Sequence, residues 1–355
     1  MNKEVVNVCL STNDAWAPFA AVTIASIMSN TKSRVHFFIL HTNLSNNNIA
    51  KISAISKKYT NAQIEYISID KEKLQEFSVD IRYISNDAFS RLLFPNLCSR
   101  VDKVIYTDVD VVFKGDIKEL FKENLQDNII GAVEGISHAD RQDNLRLKID
   151  KHHNYFQSGL LLIDCKKWRE KDITSSCYAI LEKGINLRYG DQDLLNIVFV
   201  NNYRKLHQKY CVIPLQLDKM QKFSKDSREA LADPFIIHYA GGNKPWITSG
   251  SLEDDFWKYA SMTDFFLDII KMRLNSDFIS KERDVIIKQC KLFGIIPLIK
   301  IKRKLMYSEI TDRYFLFNFI PILKKVEDVN SITWTSFFDF PVLHLKKKRN
   351  EQHEW

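Results

Sequence analysis

An apolar run from Lys103 to Phe113 carries two aspartates, Asp108 and Asp110, in its middle. The residues on either side are mostly β-branched or aromatic, which is typical of a buried strand. A fully buried strand cannot keep two ionised carboxylates, because uncompensated charge in a low dielectric is very costly. We therefore predict that the chain leaves the sheet near Thr107 and that both aspartates project from the end of the strand.

In open α/β sheets, ligands bind beyond the carboxyl ends of the strands. Two carboxylates at such an edge provide half of a site for a hard divalent cation, Mg²⁺ or Mn²⁺, which takes oxygen ligands and can also bind a diphosphate. The alternative is a surface turn with two acidic residues. The pattern D-x-D is common, so it does not decide between the two by itself.

The hydrophobic pattern of the first 135 residues alternates between strands and helices. This βαβαβ order predicts an α/β fold with a mostly parallel, Rossmann-like sheet covered by helices on both faces. The first strand is not followed by G-x-G-x-x-G, which disfavours a nicotinamide enzyme. The predicted elements are strands at Val5–Leu10, Val35–Leu40, Ile64–Ile69 and Ile129–Val133, and helices at Pro18–Met28, from Asn46 onward, and at Phe89–Phe94, ending at Pro95.

The turn after the first strand contains Asn13 and Trp16. Asn13 can hydrogen-bond a base edge or a ribose, and Trp16 offers a flat face on which a base can stack. Trp16 could equally be a core residue beneath the first helix.

Two later segments bring polar residues to the ends of predicted elements. Gln157, Ser158 and a glycine directly precede an apolar strand. Asp191, Gln192 and Asp193 stand at a helix start, where aspartates also serve as caps and complement the helix dipole. Capping does not account for Gln192.

A loop follows the apolar residues 235–237 and runs from His238 to Trp246. Its paired glycines, Gly241 and Gly242, allow backbone amides to approach a ligand closely. Lys244 can neutralise phosphate. His238 could complete a metal site, or it could be a structural histidine at the end of a strand.

The order of these motifs resembles glycosyltransferase family 8, the retaining GT-A enzymes that include bacterial lipopolysaccharide and lipooligosaccharide galactosyl- and glucosyltransferases. The resemblance covers roughly residues 5–250. Its matching segments are Ser11–Trp16, Phe89–Leu92, Asp108–Asp110, Tyr155–Asp164, Gly190–Asn196 and His238–Trp246.

The resemblance implies a metal and diphosphate site. Asp108, Asp110 and His238 are expected to bind Mn²⁺, with Mg²⁺ as a possible substitute, and Gly241 and Lys244 to hold the diphosphate of UDP.

The resemblance also implies residues around the nucleoside and the sugar. Those expected around uridine are Ser11, Asn13, Trp16 and the backbone of Val109. Those expected around the transferred sugar are Arg91, Gln157, Asp191 and Gln192, with Gln192 and Asp191 as the catalytic candidates. Ser158 is a further candidate for substrate binding.

The chain departs from the family pattern at three places. Members usually carry Asp where Asn13 stands, Asn-Tyr where Ala15-Trp16 stand, and Asn-Ala where Gln157-Ser158 stand. Asn13 and Trp16 keep the hydrogen-bonding and stacking chemistry, so UDP remains the expected nucleotide. Gln157 lies near the expected sugar pocket, so the choice between galactose and glucose stays open.

Breaking the bond from sugar to diphosphate puts negative charge on the leaving phosphate, which a metal and Lys244 can stabilise. Retention at the anomeric carbon needs either a nucleophile beneath the ring or attack by the acceptor on the same face. Gln192 is a poor nucleophile, but its amide oxygen can stabilise positive charge. We therefore expect same-face attack.

The last part of the chain differs in charge and in pattern. Residues 281–355 hold 15 Lys and Arg against 9 Asp and Glu, which accounts for +6 of the net charge of +7. A uniformly basic nucleic-acid-binding protein would not show this concentration. Three units of apolar residues, a proline and a lysine cluster contain Pro297, Pro321 and Pro341. Such units suit lying on an anionic membrane surface, whereas the alternative is a packed subdomain with a solvated basic face.

These observations predict a glycosyltransferase domain at 1–280 and a basic, membrane-associating extension at 281–355. The expected function is the transfer of a hexose from a UDP-sugar to a surface glycolipid, with no nucleic-acid partner. Six scattered cysteines and no signal peptide or membrane-spanning window indicate a cytoplasmic protein. The basic, aromatic tail resembles those of bacterial family members that work at the cytoplasmic face of the inner membrane, which implies a peripheral location there. The alternatives are a non-catalytic UDP-sugar-binding protein and a metal-dependent nucleotidyltransferase.

Overall fold

The computed structural model describes residues 4–70, 86–136, 139–242 and 244–281, and the six strands that lie between 285 and 346. The chain forms two compact units, residues 1–271 and residues 272–355.

The first unit is built on a seven-stranded mixed sheet with the strand order β3-β2-β1-β4-β7-β6-β8. Four of the six neighbouring pairs are parallel, and β7 is antiparallel to both β4 and β6. The strands of this unit, two of which lie outside the large sheet, are β1 (Val5–Thr12), β2 (Arg34–His41), β3 (Ala62–Ser68), β4 (Lys103–Thr107), β5 (Val111–Phe113), β6 (Ile130–Glu134), β7 (Phe156–Asp164), β8 (Arg204–Leu206) and β9 (Ile236–His238).

Helices flank the sheet, and the central strands are buried on both faces, as the predicted fold class requires. The α-helices are Ala17–Asn30, Asn46–Lys58, Phe94–Leu97, Ile117–Phe121, Ala139–Leu147, Cys165–Glu170, Ile173–Leu181, Asp191–Val198, Leu217–Phe223, Lys225–Ala232, Glu253–Ala260 and Phe266–Lys281, and short 3₁₀ helices cover Asn86–Leu92, Gln208–Tyr210 and Pro214–Gln216.

The helix Ala17–Asn30 is buried over nearly its whole circumference, because residues 17–28 are all buried. Small and aliphatic side chains make this possible, and Pro18 stands in the first turn, where its missing N–H is not needed. Thr23 on this helix donates hydrogen bonds from its hydroxyl to the carbonyls of Val109 and Val111, at 3.0 and 2.8 Å. The helix therefore fixes the backbone around the two aspartates.

The chain leaves the large sheet after Thr107, as predicted from the charge of the two aspartates. Asp108 and Asp110 lie between β4 and β5, and β5 pairs with β9 in a separate two-stranded sheet. The apolar residues 111–113 thus form a strand of their own rather than the continuation of β4.

The prediction of a helix that ends at Pro95 was wrong. Residues Asn86–Leu92 form a 3₁₀ helix, and Pro95 lies in the first turn of the next helix, Phe94–Leu97. A proline at the start of a helix has no backbone N–H to leave unbonded, so it is as compatible with a helix start as with a helix end.

The second unit contains a six-stranded antiparallel sheet in which the strands follow each other in chain order. The three proline-containing units of the sequence form every second strand, with each proline at the first or second position. The strands are β10 (Val285–Leu292), β11 (Ile296–Met306), β12 (Glu309–Leu316), β13 (Ile320–Asp328), β14 (Ser331–Ser336) and β15 (Pro341–Lys346). Within the described residues, no helix combines the length and the apolar character that crossing a bilayer requires.

Candidate active site

The pairing of β5 with β9 brings the three predicted metal ligands together. Val111 lies opposite His238 in this pair, so the imidazole lies beside the aspartates although it is more than a hundred residues away in sequence. His238 Nε2 is 3.2 Å from Asp110 Oδ1 and 3.9 Å from Asp108 Oδ2. One ligand atom from each of the three residues lies within 4.8 Å of the others.

The donor set of these three residues fits a divalent cation. Two carboxylate oxygens and one imidazole nitrogen suit Mn²⁺ and related ions. The neighbouring strand leaves room for them only because it carries Gly159, where an added Cβ would lie 2.3 Å from His238 Cε1 and 2.8 Å from Asp108 Oδ2. This explains physically why a glycine stands between Ser158 and the apolar part of β7.

The charges of Asp110 and His238 depend on each other. Burial opposes ionisation of Asp110, but Lys244 and His238 outweigh burial and lower the pKa of its carboxyl. Burial also opposes a charge on His238, yet the Asp110 carboxylate outweighs it and raises the pKa of the imidazole to about 10. The Sγ of Cys211 lies 3.9 Å from His238 Nδ1 and contributes to holding the ring.

Lys244 lies against the same carboxylate from the other side. Its Nζ donates to Asp110 Oδ2 and, at 2.7 Å, to the carbonyl of Tyr239. It also lies 5.7 Å from the ring centroid of Trp16. The nearby Gly241 has a φ of +84°, a backbone conformation that L residues with a side chain rarely adopt.

The nucleoside candidates lie at the end of β1. Trp16 caps the first helix, is half-buried, and makes edge contacts with Phe19 and Trp246. Trp16 is therefore packed on one side and accessible on another, which fits both interpretations of this residue.

The other three residues expected to contact the nucleoside are Ser11, Asn13 and Val109. Asn13 accepts the backbone N–H of Trp16 through its side-chain oxygen, at 3.2 Å. Ser11 receives a hydrogen bond from the Ser90 hydroxyl, at 2.7 Å. Val109, between the two aspartates, is buried.

Arg91 connects the metal-ligand candidates to the predicted sugar site. Arg91 is only 3% exposed. Its guanidinium lies 2.8 Å from Asp108 Oδ1 and 3.1 Å from Asp191 Oδ2, and it donates to the Ser158 carbonyl at 2.6 Å. It also stacks over the ring of Tyr106. These contacts allow Arg91 to position two carboxylates at once.

Asp191 is buried, and opposing effects act on the pKa of its carboxyl. Burial raises the pKa of its carboxyl to about 6, while Arg91 and the hydrogen bond from Ser158 Oγ, at 2.8 Å, favour the charged form. Asp191 begins the helix Asp191–Val198 directly after Gly190, whose φ of 54° makes the turn.

The carboxamide of Gln192 is oriented from two sides. Its Oε1 accepts the backbone N–H of Ser158 at 3.1 Å, and its Nε2 donates to the hydroxyl of Tyr155 at 3.3 Å. An amide oxygen has two lone pairs, so Oε1 keeps one for a ligand. Gln157 lies at the start of β7 beside Ser158 and is half-buried.

Sequence reasoning did not identify the residues that support Gln192. Tyr155 donates its hydroxyl to Asp193 Oδ1 at 2.7 Å, and Arg146 lies against both oxygens of that carboxylate, at 2.7 and 2.9 Å. Asp193 also accepts the backbone N–H of Tyr189. Asp193 is fully buried, so it is both a residue of the helix start and one member of a buried ion pair. Arg146 is one of two arginines in the helix Ala139–Leu147, and nothing in the sequence marked it as the partner of Asp193.

A second group of possible metal ligands lies away from this site and consists of His207, Asp226 and Glu229. His207 and Asp226 pair with each other and accept backbone N–H groups of neighbouring residues. Glu229 pairs with Lys225 one turn away. Backbone capping and surface ion pairs therefore explain why these three residues lie together, without a metal ion.

The fold and the site define a GT-A type glycosyltransferase, with a carboxylate and imidazole cluster at the carboxyl edge of a Rossmann-like sheet. The sequence profile described as Glycosyl transferase family 8 matches residues 7–250. The chain belongs to this family.

Relatives of known name agree with this assignment. A lipopolysaccharide 1,2-glucosyltransferase of Escherichia coli is 28% identical over 274 residues, covering 75% of this chain and 78% of its own. A lipopolysaccharide 1,3-galactosyltransferase of Salmonella typhimurium is 24% identical over 242 residues, covering 65% and 69%. The solved structure of galactosyltransferase LgtC in complex with donor and acceptor sugar analogues has a TM-score of 0.65 and 25% identity, covering 73% of this chain and 96% of that one.

Proposed function

We propose that this glycosyltransferase moves galactose or glucose from a UDP-sugar, with retention, to the core of lipopolysaccharide or lipooligosaccharide. The observation that carries the proposal is the meeting of Asp108, Asp110 and His238 with Lys244 and Gln192 at one edge of the sheet. The acceptor class is taken from the lipopolysaccharide transferases that the chain resembles.

In this proposal Asp108, Asp110 and His238 hold Mn²⁺ or Mg²⁺. When bound, the cation supplies positive charge for the leaving diphosphate. Lys244 moves from Asp110 to the diphosphate, and Gly241 allows backbone amides to approach it. Trp16 stacks against uracil, while Asn13, Ser11 and the backbone of Val109 complete the nucleoside contacts.

At the sugar, the remaining lone pair of Gln192 Oε1 faces the positive charge that develops at the anomeric carbon. Asp191 and Gln157 contact the hydroxyls of the sugar, and Ser158 and Arg91 orient Asp191. The acceptor oxygen attacks on the face from which the diphosphate leaves, which retains the configuration. The enzyme works in the cytoplasm at the inner face of the membrane, where UDP-sugars and lipid-linked acceptors meet.

The experiment is a screen of UDP-sugars for Mn²⁺-dependent release of UDP, with and without a lipopolysaccharide core acceptor. The proposal expects release from UDP-galactose or UDP-glucose and acceleration by the acceptor. Binding of a UDP-sugar without any turnover would instead identify a non-catalytic binding protein. Release of pyrophosphate from UTP would identify a nucleotidyltransferase.

The role of Gln192 has its own test. Gln192→Ala is expected to lower kcat about 100-fold while changing the Kd for UDP little, because its contact with the sugar strengthens mainly in the transition state. Single-turnover kinetics and UDP titration measure the two quantities. A loss of UDP affinity in step with kcat would assign Gln192 to nucleotide positioning instead.

A further inference from the structure

The register of the C-terminal sheet aligns basic residues across three neighbouring strands. Lys302 on β11 lies opposite Arg313 on β12, and Arg313 lies opposite Lys324 on β13. Directly opposed residues in a sheet share a face. We name this face the basic face; its further basic residues, placed by the same register, are Lys300, Lys304, His344 and Lys346.

The other face has a different composition. The next row of opposed residues, one position away from Lys302, Arg313 and Lys324, lies on this face. In it Arg303 lies opposite Asp312, and Asp312 lies opposite Lys325, so that an acid separates the two bases. The register also places Lys288 and Glu327 on this face, and its remaining positions are mostly apolar. They include Ile299, Ile301, Leu305, Ile310, Tyr314, Leu316, Leu323, Ile332, Trp334, Leu343 and Leu345.

A row of like charges on adjacent strands destabilises a sheet by itself. The two acids that the register places on the basic face, Glu309 and Asp328, lie opposite each other at one end of β12 and β13, beyond the row of Lys302, Arg313 and Lys324. The row therefore calls for an anionic ligand.

The geometry of the row favours an extended ligand over a single small anion. Strands are about 4.8 Å apart, so the row spans about 10 Å, and the lysines of β11 extend it at right angles. Single-stranded nucleic acid would require aromatic stacking residues among the bases. Tyr314 and Trp334 are placed on the opposite face, and within the described strands the register places a single aromatic residue, Phe315, among the bases. A planar array of lipid phosphates therefore fits better than a stacked single strand.

We propose that the basic face docks the enzyme on anionic lipid headgroups mainly through charge. The inference rests on the proposed action at a membrane-linked acceptor. It also changes the expectation drawn from the sequence, in which apolar and basic residues of each unit contact the bilayer together. In the sheet most of these residues alternate between opposite faces, although Met306 and Phe315 share the face of the bases. Salt is therefore expected to release most of the protein.

The test compares two pairs of substitutions in the same two strands of the full-length protein. Lys302→Thr with Lys324→Thr removes two charges from the basic face, and Arg303→Thr with Lys325→Thr removes two from the opposite face. Threonine suits a strand, and the change in net charge is identical. The probes are phosphatidylcholine vesicles with and without phosphatidylglycerol.

The wild type is expected to bind only the vesicles with phosphatidylglycerol and to be released at about 0.5 M salt. The first pair should bind them about 30-fold more weakly, as expected for two lysines near an anionic surface, and the second pair less than about 3-fold more weakly. Lys302→Arg with Lys324→Arg should retain binding. Amide hydrogen exchange of β11–β13 verifies that each variant keeps the sheet.

Several outcomes would overturn the proposal. They are equal losses in the two pairs, binding to pure phosphatidylcholine, retention at high salt, or a preference for single-stranded RNA over vesicles. UDP release from the soluble donor should be the same in all variants. If no UDP-sugar is turned over at all, the proposed function fails while the vesicle experiment still decides the role of the face.

Discussion

The active-site edge of the first unit and the sheet of the second unit distribute charge in opposite ways. At the active site each carboxylate faces a cation: Asp108 faces Arg91, and Asp110 faces Lys244. The two carboxylates can lie close together there because each has a cation beside it.

In the C-terminal sheet the bases Lys302, Arg313 and Lys324 follow one another on a single face. Compensated charge in a buried site serves to position groups, whereas a row of like charges on a surface serves to attract something of opposite sign. The following substitutions test this contrast, from the largest expected effect to the smallest.

Asp110→Asn should reduce transfer about 1000-fold or more, because the proposed metal ligand loses its charge, which also pairs with Lys244. Turnover with saturating UDP-sugar and Mn²⁺ is the measurement. Asp226→Asn is the matched control, since Asp226 also lies beside a histidine in a group of possible ligands but away from the site. Undiminished turnover in Asp110→Asn, or an equal loss in the control, would contradict the assignment of the metal site.

Arg146→Leu should lower the free energy of unfolding by about 2–4 kcal/mol, because it leaves the fully buried Asp193 without its cation. The value is below that of a completely buried pair because Arg146 is 22% exposed. Denaturant titration measures the change. Arg100→Leu, which breaks an exposed pair with Glu65, should cost much less, and equal losses would show that the Asp193 pair has no special weight.

Tyr155→Phe should lower kcat about 10-fold with little change in the Kd for UDP, because Gln192 Nε2 loses the hydroxyl that orients it. Tyr203→Phe removes a hydroxyl that donates to the Asn154 carbonyl outside the site, and should leave kcat unchanged. Unchanged kcat in Tyr155→Phe would show that Ser158 alone suffices to orient Gln192.

Lys302→Thr alone should leave the C-terminal sheet as stable as before or raise its stability by up to about 0.5 kcal/mol, since a like charge opposite Arg313 is removed. Lys325→Thr removes a base placed opposite Asp312 and should lower stability slightly. Amide hydrogen exchange in β11–β13 measures both. A clear loss in Lys302→Thr would mean that the row is not repulsive, which would remove the main reason for expecting an anionic ligand.

Much of the first unit follows from local rules that the sequence obeys. Two aspartates in an apolar run require an exit from the sheet, and the chain leaves it at Thr107. Asp191 begins a helix because an acidic residue after a glycine suits a helix N-terminus. The Pro95 error shows the limit of such rules, because a proline marks a helix boundary without telling on which side the helix lies.

The tertiary structure decides which charges meet. For His238 and the two aspartates the family resemblance already implied the meeting, but no local pattern did. His238 joins Asp110 through the pairing of β5 with β9, and Arg146 reaches Asp193 from a separate helix. In the tail the alternation of lysines with apolar residues was already present in the sequence, but the row of Lys302 and Arg313 depends on the register between strands. Local sequence determines where a strand or helix begins and which residues it can bury, whereas partners distant in the chain are selected by packing, which no local pattern encodes.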